Sequence, residues 1–261
     1  MVVSEGGGWG WSSARSLGLA VASVVLLAVW IPFELRTPDP LVDLRQVRNR
    51  SVLTADISGF LIFVAMYLLI PIVVEFVQIP PSAGYGFAAS LVVSGLVLTP
   101  MSVGSYIASR FLIGYERRFG TRTVIPLGTT VFAAAALFFA WEHSALWEAF
   151  VVVAICGLGL GFTSGAMPGF IVRAVPPSET GSATGFYSVV RSIGLTVGSA
   201  LSAAVLMAHT PPGHTLPDVE GFKAALITAA AVCLATGVVS FVLLGRAPPP
   251  QSARAETSAR R

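Results

Sequence analysis

Long uncharged stretches alternate with short polar ones along the chain. The uncharged runs are Ser16–Phe33, Ile57–Val74, Phe87–Ser109, Thr123–Trp141, Ala149–Ile171, Thr180–Ala208 and Ala224–Gly245, and only Arg191 interrupts the sixth. A hydrocarbon core about 30 Å thick is crossed by roughly 20 apolar residues in a helix. The pattern therefore predicts an all-α membrane protein with seven transmembrane helices. The first two runs have 18 residues each and rely on their flanks at the interface. Membrane β-strands would instead show segments of about ten residues with alternating polarity, and these runs are continuously apolar.

Composition supports the pattern. Hydrophobic residues make up 54% of the 261 positions and charged residues only 11%, against about 25% in ordinary soluble domains. So few charges cannot cover a water-exposed surface. The net charge of +3 gives no reason to expect nucleic acid. Cys156 and Cys233 both lie in apolar runs and read as small buried hydrophobes rather than a disulfide or metal site. His143, His209 and His214 fall in predicted outer loops without a convergent third ligand, so neither a metal nor a cofactor is expected.

The position of charge carries more information than its sum. With the connection after the first helix placed in the cytoplasm, that side holds thirteen of the sixteen basic residues: Arg36, Arg45, Arg48, Arg50, Arg110, Arg117, Arg118, Arg122, Arg173, Arg246, Arg254, Arg260 and Arg261. The other side holds Arg15 and Lys223. This asymmetry predicts a cell-membrane protein with its N-terminus outside and its C-terminus in the cytoplasm. The expected divisions are an extracytoplasmic segment 1–15, a separate helix 16–33, a cytoplasmic linker 34–52, a six-helix unit 53–245 and a disordered tail 246–261.

Arg191 is the main candidate for a functional residue. At helical spacing it shares a face with Tyr187, Gly194, Gly198 and Ser202. Small residues on one face let a second helix approach closely, so Arg191 is expected on a packed or cavity-lining face. An arginine near a helix centre costs roughly 2.5–3.5 kcal/mol on insertion scales, which argues for a use. The competing reading is that it snorkels to the interface or bonds backbone carbonyls.

Gly157, Gly161, Gly165 and Gly169 recur every four residues in CGLGLGFTSGAMPGF, with Gly159 and Pro168 loosening the same helix. Such a ladder predicts tight helix packing and a contact able to rock. Three acids lie near membrane boundaries. Asp56 and Glu148 read as structural, whereas Glu75, among the apolar residues of IVVEFVQ, is the candidate proton site. In the loop AVPPSETG, Pro176 and Pro177 end one helix, and Ser178 or Thr180 is placed to cap the next.

Taken in order, GGGWGWSSARSLGL, ELRTPDPLVDLR, YGFAASLVVSGLVLTP, YERRFGTR and GLGLGFTSGAMPGFIVRAVPPSETGSATGFYSVVRSIG resemble the fourteen-helix drug/proton antiporter branch of the major facilitator superfamily. The resemblance implies that the first helix is the second of two extra central helices. It equates the other six with the C-terminal six-helix domain. The family's cytoplasmic turn G-x-L-x-D-R-x-G-x-R is matched by Arg118, Gly120 and Arg122. Ile113 stands at its leading glycine and Arg117 at its acid, with Glu116 one place earlier.

The resemblance implies the C-terminal half of a multidrug-type efflux transporter, exchanging small amphipathic compounds for protons. It further implies a lipid bilayer as host and a separate N-terminal half as partner. The alternative is a non-transporting membrane subunit or an inactive truncated remnant. Two other seven-helix classes fail on placement. A retinal protein needs a lysine in the middle of its last helix, where Lys223 is at the edge. An intramembrane serine protease needs a buried histidine beside a serine such as Ser164.

Overall fold

The computed structural model describes residues 50–211 and 216–245, with scattered positions between Ala14 and Phe33 that are helical and exposed. The expected segment 1–15, most of the 16–33 helix, the 34–52 linker and the 246–261 tail lie outside the described residues. Six helices follow: α1 (Arg50–Gln78), α2 (Leu91–Phe119), α3 (Val124–Trp141), α4 (Leu146–Ala174), α5 (Thr180–Ala208) and α6 (Val219–Gly245). All six are long and apolar enough to cross a membrane.

Three of the five intervening connections, 120–123, 142–145 and 175–179, are short reversals with room for no more than a 3-10 turn such as Thr121–Thr123 or Pro177–Glu179. Successive helices therefore run in opposite directions. The ends of α2 and α4 and the start of α3 gather Arg110, Arg117, Arg118, Arg122 and Arg173 at one end of the bundle. This is the arginine-rich end; Glu75, His143 and Asp218 mark the opposite end.

The main packing partners are mostly not chain neighbours. The pairs are α2 with α4, α1 with α5, α3 with α4, α3 with α6, and α1 with α6. Exchanging α1 with α4, α2 with α5 and α3 with α6 maps this set onto itself. The six helices are thus two three-helix repeats, and because α1 and α4 start at opposite ends, the repeats are inverted. Inverted repeats are a recurring plan of membrane transporters. The apolar core joins α1, α3, α4 and α6 through residues such as Ile62, Leu68, Phe132, Phe139, Met167 and Phe222. The second helix of each repeat, α2 or α5, is the least enclosed.

Charge does not end these helices where the uncharged runs end. α1 has 29 residues, about 43 Å at 1.5 Å per residue, longer than the hydrocarbon core. It begins at Arg50, ahead of Ile57, and takes Asp56 into its second turn. Pro71, Pro100 and Pro168 all sit inside continuous helices. Neighbouring helices make such prolines tolerable in membranes, and Pro168 does not interrupt α4. The hydroxyl cap expected for α5 is not made. Glu179 occupies the N-cap position without a side-chain capping bond, and the Thr180 hydroxyl instead donates back to the Pro176 carbonyl at 3.3 Å.

At the opposite end, the connection after α1 folds back onto the bundle. Ala88 and Ala89 donate to the carbonyls of Ile79 and Val77. Gly86 has φ +89° and lies so close to Ile79 that a Cβ would stand 2.2 Å from its carbonyl oxygen. This reversal brings Tyr85 and Phe87 onto Phe76, which also meets Phe139, Phe222 and His143 with ring centroids 5.3–5.9 Å apart.

Candidate functional site

The α1–α5 seam gathers the stripe of Tyr187, Arg191, Gly194 and Gly198 singled out in the sequence. Gly194 faces the backbone of Phe60, where an added Cβ would lie 2.5 Å from the carbonyl oxygen. Gly198 does the same at Val64, at 2.3 Å. One step toward the arginine-rich end, the Tyr187 ring covers Gly59, and a Cβ there would meet it at 2.4 Å. Two helices therefore touch backbone to backbone at Gly194 and Gly198, one turn apart, with Tyr187 filling the notch that Gly59 leaves. Tyr187, Gly194, Gly198 and Ser202 are all buried.

Arg191 belongs to the same stripe and differs from it in one respect. Its guanidinium sits 5.1 Å from the Phe63 ring centroid, a cation–π contact across the seam, yet the residue is exposed. Backbone contact at Gly194 and Gly198 leaves no volume for a guanidinium inside the seam, so the head lies at its margin. The carbonyl bonding considered from sequence is not made among the described residues.

Asp56 is the residue sequence reasoning underrated. It is 4% exposed, and neither carboxylate oxygen has a hydrogen-bond partner among the described residues. The Tyr187 hydroxyl is likewise buried and unpartnered, and it lies within electrostatic reach of both Asp56 and Arg191. An acid inside a predicted span is a functional signal by itself; its place near the start of the run made it look solvated.

The α2–α4 seam repeats the construction. Gly157 faces the Met101 backbone at 2.2 Å for an added Cβ, Gly161 faces Ser105 and Ala108 at 2.7 Å, and Gly104 faces Ala154 at 2.2 Å. The expected ladder is only half used in packing. Gly165 is exposed and meets only the end of Leu112, and a Cβ on Gly169 would approach only Arg173. Gly159, expected to loosen the helix, packs instead against Gly128 and Phe132 of α3.

An ion pair closes this second seam at the arginine-rich end. Arg173 donates to Glu116 through both terminal nitrogens, at 2.6 and 3.3 Å, and the Thr121 hydroxyl donates to the same carboxylate. Arg118 lies over Phe119, and Gly120 turns the chain with φ +84°. The acid that matters in this turn is thus Glu116, one place before the position the family pattern marks.

At the opposite end, Glu148 is buried but satisfied: the Ser144 hydroxyl and the Ala145 amide both donate to its carboxylate. Glu75 is half-buried near Tyr85. The Tyr85 hydroxyl donates to the Pro217 carbonyl, and burial, with the carboxylates of Asp218 and Glu75 adding to it, pushes that phenol above its usual value.

On the exposed face of α5, the hydroxyls of Thr184, Ser188, Ser192 and Thr196 each donate to the carbonyl four residues back. Ser188, Val189, Ser192, Ile193 and Thr196 line a shallow groove there. No cluster able to hold a metal ion occurs among the described residues.

The sequence profile of the Major Facilitator Superfamily matches residues 56–261. Over 207 residues the chain is 28% identical to "Multidrug resistance protein Stp" of Mycobacterium tuberculosis (strain ATCC 25618 / H37Rv), covering 79% of this chain and 37% of that protein. It is 26% identical over 201 residues to "Multidrug resistance protein 3" of Bacillus subtilis (strain 168), covering 75% and 37%. It is also 26% identical over 215 residues to the "Tetracycline resistance determinant" of Streptomyces rimosus, covering 80% and 59%. The chain thus spans between about a third and three-fifths of the length of these curated relatives.

Proposed function

The chain belongs to the Major Facilitator Superfamily, and on that premise we propose that it forms the C-terminal lobe of a proton-coupled multidrug efflux transporter. The lobe acts with an N-terminal six-helix half and exports small amphipathic compounds. Transporters of this plan bind their cargo near the membrane midplane between two lobes that rock against each other. One observation carries the reading. The α1–α5 seam is a close, glycine-lined contact that seats Tyr187 on Gly59, one turn from Asp56, an acid without a partner among the described residues, and holds Arg191 at its margin on Phe63. The hydroxyl-lined exposed face of α5 supports it, since a polar stripe suits a cavity or a second lobe better than lipid.

In this reading Arg191, Tyr187, Gly194 and Gly198 line or back the cavity. The glycines of α4, with Pro168, serve its packing and rocking, while Arg118, Gly120 and Arg122 form the cytoplasmic turn. Glu75 offers a proton site toward the outside. The arginine-rich end faces the cytoplasm, as the distribution of basic residues favours. Single cysteines at Ser178 and Ser144, in a background without Cys156 and Cys233, test that orientation. An impermeant maleimide applied to intact cells should label the second and spare the first.

The function itself is tested by expressing the chain alone and together with an N-terminal six-helix half, then measuring proton-driven dye efflux from vesicles. Efflux is expected only with both halves. Robust efflux by a monomeric lone chain would refute the two-lobe reading. Absence of both efflux and a copurifying partner would favour an inactive remnant.

A further inference from the structure

Among the described residues, the buried side-chain polar atoms without a hydrogen-bond partner are both oxygens of Asp56, the Ser58 hydroxyl and the Tyr187 hydroxyl. All belong to the halves of α1 and α5 nearest the arginine-rich end. Folded proteins leave few such atoms, and each calls for a chemical reason. An ionised carboxylate sealed between helices with no donor is the least tolerable of them. A neutral carboxylic acid, by contrast, carries no charge and can itself donate.

We propose that Asp56 is a proton site gated by the α1–α5 seam, with Tyr187 as its lid and Arg191 as its alternate charge partner. The space available decides the ligand. The Tyr187 ring is seated on Gly59, and the backbones meet at Gly194 and Gly198, so the closed seam has no room for an organic cation or a hydrated metal. A proton needs none. With the seam closed, Asp56 holds its proton. When α5 moves away from α1, the Asp56 O–H bond breaks and the proton passes to water at the arginine-rich end. The Arg191 guanidinium then leaves the Phe63 ring to pair with the carboxylate. Closing the seam expels that water and requires the carboxylate to take a proton back from it.

Among the described residues, the surrounding ionisable groups leave Asp56 to this pair. On α5 these are Tyr187 and Arg191. On α6, Glu220 and Lys223 pair with each other at the opposite end, and Cys233 is buried in mid-helix. On α4, Cys156 is buried in mid-helix, Glu148 is capped at the opposite end, and Arg173 is held by Glu116. Arg110, Glu116, Arg117 and Arg118 of α2 and Arg122 before α3 lie at the arginine-rich end, and none bonds Asp56.

The consequence for transport rests on the proton-coupled reading above, but the test does not require transport. Infrared difference spectra of the full chain in lipid nanodiscs, recorded between acidic and alkaline buffer, should show a protonated-carboxyl C=O band. That band should vanish in Asp56→Asn and survive in Glu75→Gln. Asp56→Glu should restore it at a shifted frequency, which separates loss of the group from loss of the fold. Gly59→Ala, which displaces the Tyr187 ring, should move the midpoint of the band's titration by about one pH unit or more. A band unchanged in Asp56→Asn, or a midpoint unmoved in Gly59→Ala, would overturn the inference. An intact Asp56 band with no efflux from any pairing of halves would overturn the transporter reading alone.

Discussion

In the α2–α4 seam Gly157 and Gly161 rest on the backbone of Met101 and Ser105; in the α1–α5 seam Gly194 and Gly198 rest on that of Phe60 and Val64. Inverted repeats make the two contacts counterparts, yet their polar groups differ. The α2–α4 seam ends in an ion pair, Glu116 with Arg173, and the acid in the first turn of α4, Glu148, is capped by Ser144 and Ala145. Among the described residues, the α1–α5 seam has an unpartnered acid, an unpartnered phenol and an arginine that rests on a ring. The same backbone geometry can therefore serve as a fastened joint or as one free to part. What differs is whether the polar groups already have partners in the closed state.

Glycine substitution gives the largest expected effect. Gly157→Leu and Gly198→Leu both force side chains into backbone, and overpacking of this kind costs about 1–3 kcal/mol or more. If the α2–α4 seam is the fastened one, Gly157→Leu should lower Tm most. Gly198→Leu should then abolish efflux while a larger share of the protein stays folded. Equal losses of Tm with equal losses of efflux would remove the distinction between the seams.

Breaking the ion pair should matter less for stability. Arg173 is half-exposed while Glu116 is mostly covered, so Glu116→Gln is expected to cost about 0.5–1 kcal/mol after solvent screening. Thermal unfolding in detergent would measure this, and the charge-swapped double variant Glu116→Arg with Arg173→Glu should recover most of it. The acids sharpen the comparison further. Glu148→Gln should lower Tm because it weakens bonds from Ser144 and Ala145, whereas Asp56→Asn should leave Tm unchanged or raise it. A fall in Tm for Asp56→Asn as large as that for Glu148→Gln would mean that Asp56 has a partner after all.

Tyr85 lies outside both seams and gives the smallest effect. Tyr85→Phe removes one hydrogen bond to Pro217, worth about 1 kcal/mol. The folded chain holds the Tyr85 proton more tightly than the unfolded chain does. Its contribution is therefore complete below the usual tyrosine value of 10.0 and is lost as the pH rises through the higher folded value. Tm measured against pH should fall less steeply above 10.0 in Tyr85→Phe than in the unaltered chain.

Much of the architecture was legible in the run lengths. The run Thr180–Ala208 coincides with α5, and the five other runs from Ile57 onward lie within or close to their helices. Where the bounds differ, as at Arg50–Asp56, polar residues extend a helix beyond the hydrocarbon, which an uncharged-run criterion cannot follow. The Gly157–Gly169 spacing announced a close helix contact but not its extent. Only two of those glycines face α2 closely, because the contact with α2 loosens near Leu112. For Arg191, spacing placed it on the buried stripe, while the fullness of that stripe moved its head to the margin. Asp56 was read as solvated because nothing in its own neighbourhood of sequence showed that it would be buried, with Tyr187 of the distant α5 seated on Gly59 one turn away.

The chain's own pattern was sufficient for membrane-crossing helices, since hydrocarbon thickness sets run length and backbone hydrogen bonding forces the helix. It also carried the resemblance to the superfamily that the profile match bears out. Which small residues would touch, which acid would find donors and which would be sealed off without them depended on pairing between helices of different repeats. Those partners are distant in sequence, so their meeting is a property of the packed bundle alone.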